Sequence, residues 1–291
     1  METIFQEFLD ASTELDELAL EGYFGEEVKM ATTRRDRIPV DLSLYESLRL
    51  WIDGKEQSHD ELKKEYIKMF FKIYFNAYKI QPQETIDVMT SFFYGPKENS
   101  EMEYMSAYSE YARLFTETKN DLLQLAGSQK ISEKKKLGSS LSNTYSKGVE
   151  FLGKTLTTLL VLQQIIKGKP YNYYKIYNLT LFDKLTKLEN NDIESYNKII
   201  AVINRNLRNA EAHLSLNFNG ATNTYFLKKK SKGKIKIENI PLPLMVTELY
   251  PSIGAYAQSF VYSGILFTLA LRDRDLFSEA INDIYKKNEI K

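Results

Sequence analysis

Apolar residues recur at intervals of three and four positions through most of the first 130 residues of the chain. That interval is the repeat of an α-helix that buries one face, whereas a half-buried strand alternates apolar and polar residues. The clearest stretch predicts a helix from Ser58 to Lys79, and another is predicted from Glu101 to Ala126, after a break at Gly95-Pro96. The pattern therefore predicts an N-terminal helical domain over residues 1–130.

The composition changes between residues 131 and 147, where serine, glycine and lysine replace most of the large aliphatic residues. Such a segment is typical of a flexible connection, so residues 131–147 are predicted to form a linker. Helical periodicity returns beyond it and predicts helices from Gly148 to Lys167, from Tyr171 to Leu188 and from Asp192 to Leu214. A second helical domain is therefore expected over residues 148–291.

The pattern changes again after the third of these helices. Two β-prone runs between Thr222 and Ile240 flank a Lys-Ser-Lys-Gly turn, which predicts a β-hairpin. The next stretch, from Gly254 to Leu271, has eighteen residues without a charge, but its polar residues favour a buried core helix over a membrane span. An amphipathic helix is predicted from Leu276 to Lys287. The predicted fold class is mainly α with one β-hairpin insertion, and no membrane contact is expected.

The amino-acid composition excludes several kinds of functional site. Lysine plus arginine equals aspartate plus glutamate at 39 each, so any attraction to nucleic acid must be local. The absence of cysteine excludes disulfides, thiol nucleophiles and cysteine-rich zinc sites, and His59 and His213 are the two histidines. No cofactor or metal is expected. The first ten residues lack the basic start and apolar run of an export signal, so a cytoplasmic location is expected.

The residues from Gly148 to Thr155 match the letters of a phosphate-binding loop, in which two glycines precede lysine and threonine. That chemistry requires a buried strand before the loop and small residues whose amides wrap the phosphates. The preceding residues are too polar for a central strand, and residues 149–152 are typical of the first turn of a helix. A nucleotide hydrolase is therefore the lesser alternative, in which Asp183 would be a weak candidate for binding magnesium.

Arg208, Asn209 and His213 form a second motif, near the end of the helix predicted from Asp192 to Leu214. Asn209 and His213 are four residues apart and share a helix face, and the long Arg208 side chain can reach the same place from the neighbouring face. A purely structural alternative is that Glu211 pairs with Arg208 and that His213 is buried. The other side of the helix is predicted to pack through Ile199, Ile200, Ile203, Leu207, Ala210 and Leu214.

The segment from Arg208 to His213, with its flanks, resembles the active motif of the HEPN superfamily. That family consists of all-α bundles whose members include RNA-cleaving toxins and phage-defence effectors, and the resemblance covers residues 147–285. It implies a metal-independent endoribonuclease with Arg208, Asn209 and His213 as catalytic residues. Toxins paired with nucleotidyltransferase antitoxins tend to have tyrosine two residues after the histidine, where this chain has Ser215. The sequence is therefore more similar to the abortive-infection and defence-associated branches.

The side chains of this motif suit cleavage of RNA without a metal. An imidazole can accept the proton of a ribose 2′-hydroxyl or donate one to the departing 5′-oxygen near neutral pH. The guanidinium of Arg208 would match the phosphate oxygens and stabilise the charge that develops on them, while Asn209 would orient the imidazole or hold a phosphate oxygen. The expected products end in a 2′,3′-cyclic phosphate. Cleavage needs one group that accepts a proton and a second group that donates one. The resemblance therefore implies a homodimer in which two motifs face each other.

Basic residues near the motif are predicted to hold the RNA backbone. Arg205 lies one turn before Asn209 and is expected to join the site or to line its rim. A non-catalytic HEPN-like module that binds nucleotides or a partner protein is the main alternative, and an antitoxin or another regulatory partner is a further expectation. The predicted hairpin supplies the other basic candidates, which are Lys228, Lys229, Lys230, Lys232, Lys234 and Lys236.

Overall fold

The computed structural model describes residues 6–53, 60–190, 193–212, 215–231 and 234–286. These residues are mainly helical and include one small antiparallel sheet, which confirms the predicted fold class. The first half is helical as predicted, and a single 3₁₀ turn at Ser100–Met102 separates its last two helices. Its helices are α1 (Gln6–Glu21), α2 (Glu26–Arg35), α3 (Val40–Asp53), α4 (Asp60–Ile80), α5 (Pro82–Tyr94) and α6 (Met105–Leu125).

The second half contains the sheet between two groups of helices. The predicted hairpin is present, and a short strand precedes it that the sequence pattern did not predict. A π-helical turn at Met245–Leu249 leads into the long apolar helix. The elements are α7 (Ile131–Ile166), α8 (Tyr173–Tyr177), α9 (Leu181–Glu189), α10 (Ile193–Ala201), α11 (Arg205–Ala212), β1 (Leu216–Asn219), β2 (Thr224–Ser231), β3 (Lys234–Pro241), α12 (Leu242–Leu244), α13 (Tyr250–Arg272) and α14 (Arg274–Lys286).

The prediction of a linker at residues 131–147 is wrong, because these residues are the first half of the 36-residue helix α7. Leu137, Leu141 and Tyr145 are buried at intervals of four residues, as in any packed helix. The small residues between them allow close packing rather than flexibility. A Cβ on Gly138 would come within 2.5 Å of the Phe218 ring, so glycine is needed there for the approach of β1.

The phosphate-binding loop is also ruled out by α7. The residues from Gly148 to Thr155 lie inside this helix, so their amides are committed to helical hydrogen bonds and cannot surround a phosphate. The Gly153 carbonyl accepts a hydrogen bond from the Lys184 ammonium at 3.2 Å. The Lys154 ammonium lies 4.6 Å from the centre of the Tyr104 ring. The lesser alternative, a nucleotide hydrolase, therefore lacks the loop that its motif requires.

Two of the predicted helices are each divided in two. The helix expected from Tyr171 to Leu188 becomes α8 and α9, because the Thr180 hydroxyl caps a new helix by accepting from the Asp183 amide at 3.1 Å. The helix expected from Asp192 to Leu214 becomes α10 and α11, which are separated at residues 202–204. Apolar spacing continues across this second break, which is why the sequence pattern did not reveal it.

The chain is divided into two compact units, each made from separate stretches of sequence. The first unit comprises Met1–Ser109, Lys154–Leu179 and Gln258–Lys291, and the second comprises Glu110–Gly153 and Thr180–Ala257. Neither unit coincides with the predicted domains 1–130 and 148–291, because each takes helices from both halves of the chain. The motif helix and the sheet both belong to the second unit.

The first unit has an aromatic core between α4 and α13. Phe70 and Tyr74 of α4 are buried, and their rings meet the Phe260 ring edge-on at 5.5 and 6.3 Å between centroids. The aromatic residues of α4 recur at helical spacing, so they fill a core instead of forming a flat stacking surface. This placement agrees with the interpretation of the sequence as core packing.

The second unit contains the sheet, whose strand order is β1-β2-β3 with antiparallel neighbours. Tyr225, Leu227 and Ile240 are buried on one face of the hairpin. The Tyr225 hydroxyl donates to the Gly138 carbonyl on α7 at 2.8 Å, which ties the base of the hairpin to that helix. The strands extend beyond this buried base into exposed residues that are rich in lysine.

Among the residues that the structure describes, two stretches are long and apolar enough to cross a membrane by length and composition, Ile131–Ile166 and Leu242–Arg272. Most of the apolar window of each is buried inside the protein. Core helices of soluble proteins meet the same criteria, so this finding is weak evidence for a span. The burial of Tyr256, Phe260 and Leu266 agrees with the predicted core helix.

Candidate functional site in the second unit

The break between α10 and α11 is held by one buried hydroxyl. The Tyr145 hydroxyl, on α7, donates to the Val202 carbonyl at 2.7 Å and accepts from the Asn204 amide at 2.7 Å. The Asn204 side chain then caps α11 by accepting from the Leu207 amide at 3.0 Å. These three hydrogen bonds set where α11 begins and hold its start against α7.

The motif helix α11 buries one side, as the spacing of its apolar residues predicts. Ile199 before the break, Ile203 within it, and Leu207 and Ala210 after it are buried, while Ile200 is half-buried. Arg208 and Asn209 lie away from this buried row, and Asn209 is exposed. The described part of the motif therefore presents its polar groups at the surface of the second unit.

The Arg208 guanidinium makes two polar contacts. One terminal nitrogen donates to the Asn209 Oδ1 atom at 3.1 Å, and the other donates to the Glu150 carboxylate on α7 at 3.5 Å. The Arg208 side chain is 31% exposed, while its buried Nε atom has no hydrogen-bond partner. The terminal nitrogens thus lie nearer to solvent than the Nε–H group, which is a geometry that allows an anion to reach them.

Sequence reasoning missed Glu150 as the partner of Arg208. The two residues are 58 positions apart, and only the packing of α11 beside α7 brings them together. The local alternative, an ion pair between Arg208 and Glu211, is not formed among the described contacts. Burial raises the pKa of Glu211, and a hydrogen bond with Ser142 offsets part of that increase.

Arg205 is the first residue of α11 and contacts an aromatic residue that the sequence did not single out. Its guanidinium carbon lies 4.8 Å from the centre of the Phe182 ring on α9, which is a cation–π arrangement. The Phe182 side chain is 58% exposed, so the contact covers only part of the ring. An exposed Phe beside a motif helix is not conspicuous in the sequence, because it follows a helix cap and continues an apolar pattern.

The hairpin places most of its described lysines at the surface. Lys228, Lys234 and Lys236 are exposed, whereas Lys229 is half-buried and forms an ion pair with Glu238. The register places Lys229 opposite Lys236, on the same face as the buried base. The hairpin is linked to the motif helix by Asn206, whose amide donates to Glu238 at 3.5 Å.

Two of the predicted site residues lie outside the described residues, and a third is described only in its backbone. His213 and Lys232 lie outside the described residues, as does the other histidine, His59. The backbone of Lys230 belongs to β2, where it pairs with Ile235. Within the described ranges, no group of three histidine, aspartate or glutamate side chains is arranged to hold a metal ion.

Comparisons with protein-family models, with curated proteins and with solved structures give no match to this chain. A function for this chain is therefore inferred from its own residues.

Proposed function

We propose that the protein is a metal-independent endoribonuclease of HEPN type, with Arg208, Asn209 and His213 as its catalytic residues. The observation that carries the proposal is the contact between Arg208 and Asn209 on an exposed turn of α11. A lysine-rich hairpin is tied to the same short helix through Asn206 and Glu238. A guanidinium, a carboxamide and neighbouring ammonium groups are the groups that hold a phosphodiester backbone.

The Arg208 guanidinium would bind the scissile phosphate in place of Glu150. The two side chains are 31% and 40% exposed and their charged atoms are 3.5 Å apart. An ion pair with this exposure contributes about 0–1 kcal/mol, so a phosphate can replace the carboxylate at little cost. Glu150 would then hold Arg208 extended towards the substrate until RNA binds.

His213 would supply the proton transfers. It would take the proton of the ribose 2′-hydroxyl, whose oxygen then attacks the adjacent phosphorus and displaces the 5′-oxygen. A second imidazole, from the same motif of a partner copy, would protonate the departing oxygen. The products are a 2′,3′-cyclic phosphate and a free 5′-hydroxyl, and neither step requires a metal.

The direct experiment is incubation of the purified protein with total cellular RNA and transfer RNA in the presence of a chelator. Cleavage with 2′,3′-cyclic phosphate ends is expected from the unmodified protein and is lost in Arg208→Ala and in His213→Ala. Matched controls are available in the same chain. Arg113 is 33% exposed and pairs with glutamates, like Arg208, and His59 is the other histidine. Arg113→Ala and His59→Ala are expected to cleave normally.

Three outcomes would contradict the proposal. One is cleavage that depends on added magnesium or proceeds equally well on DNA. Another is full activity in His213→Ala when circular dichroism shows an unchanged fold. The third is an equal loss in Arg113→Ala, which would mean that the Arg208 result reflects stability and not chemistry.

The Glu150 contact also favours a second function, a HEPN-like module that binds nucleotides or a partner without cutting. The Glu150 carboxylate already pairs with one terminal nitrogen of Arg208, which suits a site that binds without reacting. Expression in cells separates the two functions. The nuclease is toxic and its toxicity disappears with His213→Ala, whereas the binding module is harmless and is recovered in a complex with a regulatory protein.

A further inference from the structure

The first unit contains a cavity of about 550 Å³ between the C-terminal half of α5, the turn that follows it and the start of α8 with the residues just before it. This volume is within the range of small-molecule binding sites. Tyr94, Tyr171 and Tyr173 line it. Tyr171 also lines a second cavity of about 450 Å³, whose other walls include Glu84 and Lys169. The three tyrosines make one part of the first cavity's wall aromatic, whereas Tyr171 is the one described aromatic residue that lines the second.

The polar groups on the wall of the larger cavity are mainly hydrogen-bond acceptors. The Thr90 hydroxyl donates to the Ile86 carbonyl at 2.9 Å, and the Ser91 hydroxyl donates to the Asp87 carbonyl at 2.6 Å. Because each hydroxyl has a single hydrogen, these contacts leave its oxygen as an acceptor towards the cavity. The Asp87 carboxylate adds further acceptor capacity, since it receives one hydrogen bond, from Gln83 at 2.9 Å.

The charges on the wall favour a cation. Two of its described residues, Asp87 and Glu98, are acidic, and one, Lys97, is basic. Tyrosine rings attract cations through the negative potential of their faces. A phosphate or carboxylate ligand would meet two negative charges and few donors, so it is disfavoured here.

The Tyr173 hydroxyl is the second feature that indicates a ligand. Its oxygen is buried and has no hydrogen-bond partner among the described residues, although the hydroxyl can both donate and accept. Burial raises the pKa of Tyr173, so the phenol stays protonated. Its neighbour Tyr171 is different, because its hydroxyl already interacts with Glu84. A buried polar group without a partner costs stability unless a bound molecule satisfies it.

From these observations we infer that the cavity binds an alkylammonium compound, a primary amine or polyamine whose N–H groups donate to Asp87, Thr90 and Ser91. Its ammonium group lies among the rings of Tyr94, Tyr171 and Tyr173, and a turn of the Tyr173 ring towards the cavity would let the buried oxygen accept one of its hydrogens. The acceptor-rich wall requires N–H donors, which a quaternary ammonium does not have. This inference is independent of the nuclease proposal, since every residue that carries it belongs to the first unit.

The experiment is calorimetric titration of the full-length protein, without RNA, by spermidine and putrescine. Spermidine is expected to bind, and Asp87→Asn is expected to weaken it by about tenfold because a charge-assisted hydrogen bond is lost. Asp10→Asn is the matched control, since Asp10 also accepts from a glutamine four residues earlier, Gln6, at 2.7 Å. That variant is expected to bind spermidine like the unmodified protein.

Tyr173→Phe is the second test, because it removes the buried hydroxyl and little else. Spermidine is expected to bind this variant severalfold more weakly. If Asp87→Asn does not fold, Tyr173→Phe replaces it as the test. The inference is overturned if no amine binds, if Asp10→Asn loses as much affinity as Asp87→Asn, or if Tyr173→Phe binds like the unmodified protein. Equal affinity for tetramethylammonium, or preferential binding of inorganic phosphate, would also overturn it.

Discussion

The Tyr145 hydroxyl contributes to the motif without touching it. It bonds to both sides of the break before α11, at Val202 and Asn204, and it is fully buried. Tyr145→Phe leaves a buried carbonyl and amide without this partner, which is expected to lower the free energy of unfolding by about 1–3 kcal/mol. Because the start of α11 is no longer held, RNA cleavage is expected to fall as well.

Tyr250→Phe is the control for this prediction. The Tyr250 hydroxyl also donates to a backbone carbonyl of the second unit, that of Phe115, at 3.0 Å. Urea denaturation and initial cleavage rates are measured for both variants at a temperature where both are folded. A role for Tyr145 in positioning is refuted if the two variants lose the same activity.

Glu150 is expected to compete with RNA for Arg208. Glu150→Gln removes the negative charge beside the guanidinium, so the affinity for RNA is expected to rise by about two- to fivefold. Binding is measured with 2′-O-methyl RNA, which cannot be cleaved through its 2′-oxygen. Glu117→Gln is the control, because Glu117 pairs with Arg113 at 2.8 Å with a similar exposure. Unchanged affinity in Glu150→Gln would mean that phosphate does not reach Arg208.

Glu211 makes stability depend on pH. Burial raises the pKa of Glu211 despite its hydrogen bond with Ser142, so the folded state binds this proton more tightly than the unfolded state does. The contribution of this proton to the free energy of unfolding is fully present below the ordinary glutamate pKa. It is lost as the pH rises through the raised pKa of Glu211. Glu211→Gln is therefore expected to unfold at a higher urea concentration than the unmodified protein at neutral pH.

The advantage of Glu211→Gln is expected to disappear in acid, where the unmodified residue is also neutral. Glu248→Gln provides the comparison, since Glu248 is an exposed carboxylate of the same unit. Urea midpoints for the three proteins at neutral and acidic pH test the prediction. A gain in Glu211→Gln that is the same at both pH values would contradict it.

At the scale of the element, Gly138 decides whether α7 can pack against β1. A Cβ at this position would lie 2.5–2.9 Å from three carbons of the Phe218 ring. Gly138→Ala is therefore expected to destabilise the protein by about 1–3 kcal/mol, although alanine favours a helix. Thermal and urea denaturation measure the change.

Gly264→Ala is the matched control for Gly138→Ala. Gly264 also lies inside a helix, α13, and a Cβ there would meet nothing within 4 Å. The same substitution is expected to stabilise the protein by about 0.5–1 kcal/mol, because only the helix propensity changes. A shift of stability in the same direction in both variants would show that the Phe218 ring does not restrict position 138.

The elements that the sequence predicts best are those with a continuous apolar row and a clear break. The helix α4 and the hairpin from Thr224 to Pro241 lie where the pattern places them. The division between α10 and α11 is not predictable in this way, because the buried apolar row of Ile199, Ile203 and Leu207 continues through it. It depends instead on a hydroxyl that is supplied by a different helix.

At the scale of the whole molecule, the proposed chemistry requires two copies of the chain. A homodimer with one shared cleft loses activity when either copy lacks His213, because one of the two proton transfers then has no group to perform it. After subunit exchange in an equal mixture of unmodified protein and His213→Ala, about one quarter of the activity is expected, against about one half for independent monomers.

Sedimentation measured beside these cleavage rates gives the control for subunit exchange. A protein that sediments as a monomer at the concentration where it cleaves RNA would refute the shared cleft. Mixing with His59→Ala is expected to leave the activity at its full value, since this histidine has no part in the proposed site.

The sequence by itself determined the properties that depend on local spacing and on composition. Helical periodicity, the hairpin turn, the absence of cysteine and the adjacency of Arg208 and Asn209 can all be read without knowing which segments meet. Burial of Leu207 and Ala210 also follows from this spacing, because an amphipathic helix has only one apolar side to bury.

Only the tertiary structure decided which distant residues meet. The pairing of Arg208 with Glu150 and the packing of Phe218 on Gly138 join positions that are 58 and 80 residues apart. The same is true of the cavity beside Tyr173, whose wall combines two separate segments. A segment rich in serine and glycine has the same composition whether it is a flexible linker or a closely packed helix. The difference arises from the surfaces that pack against it, because close packing stabilises one conformation where the isolated sequence has many.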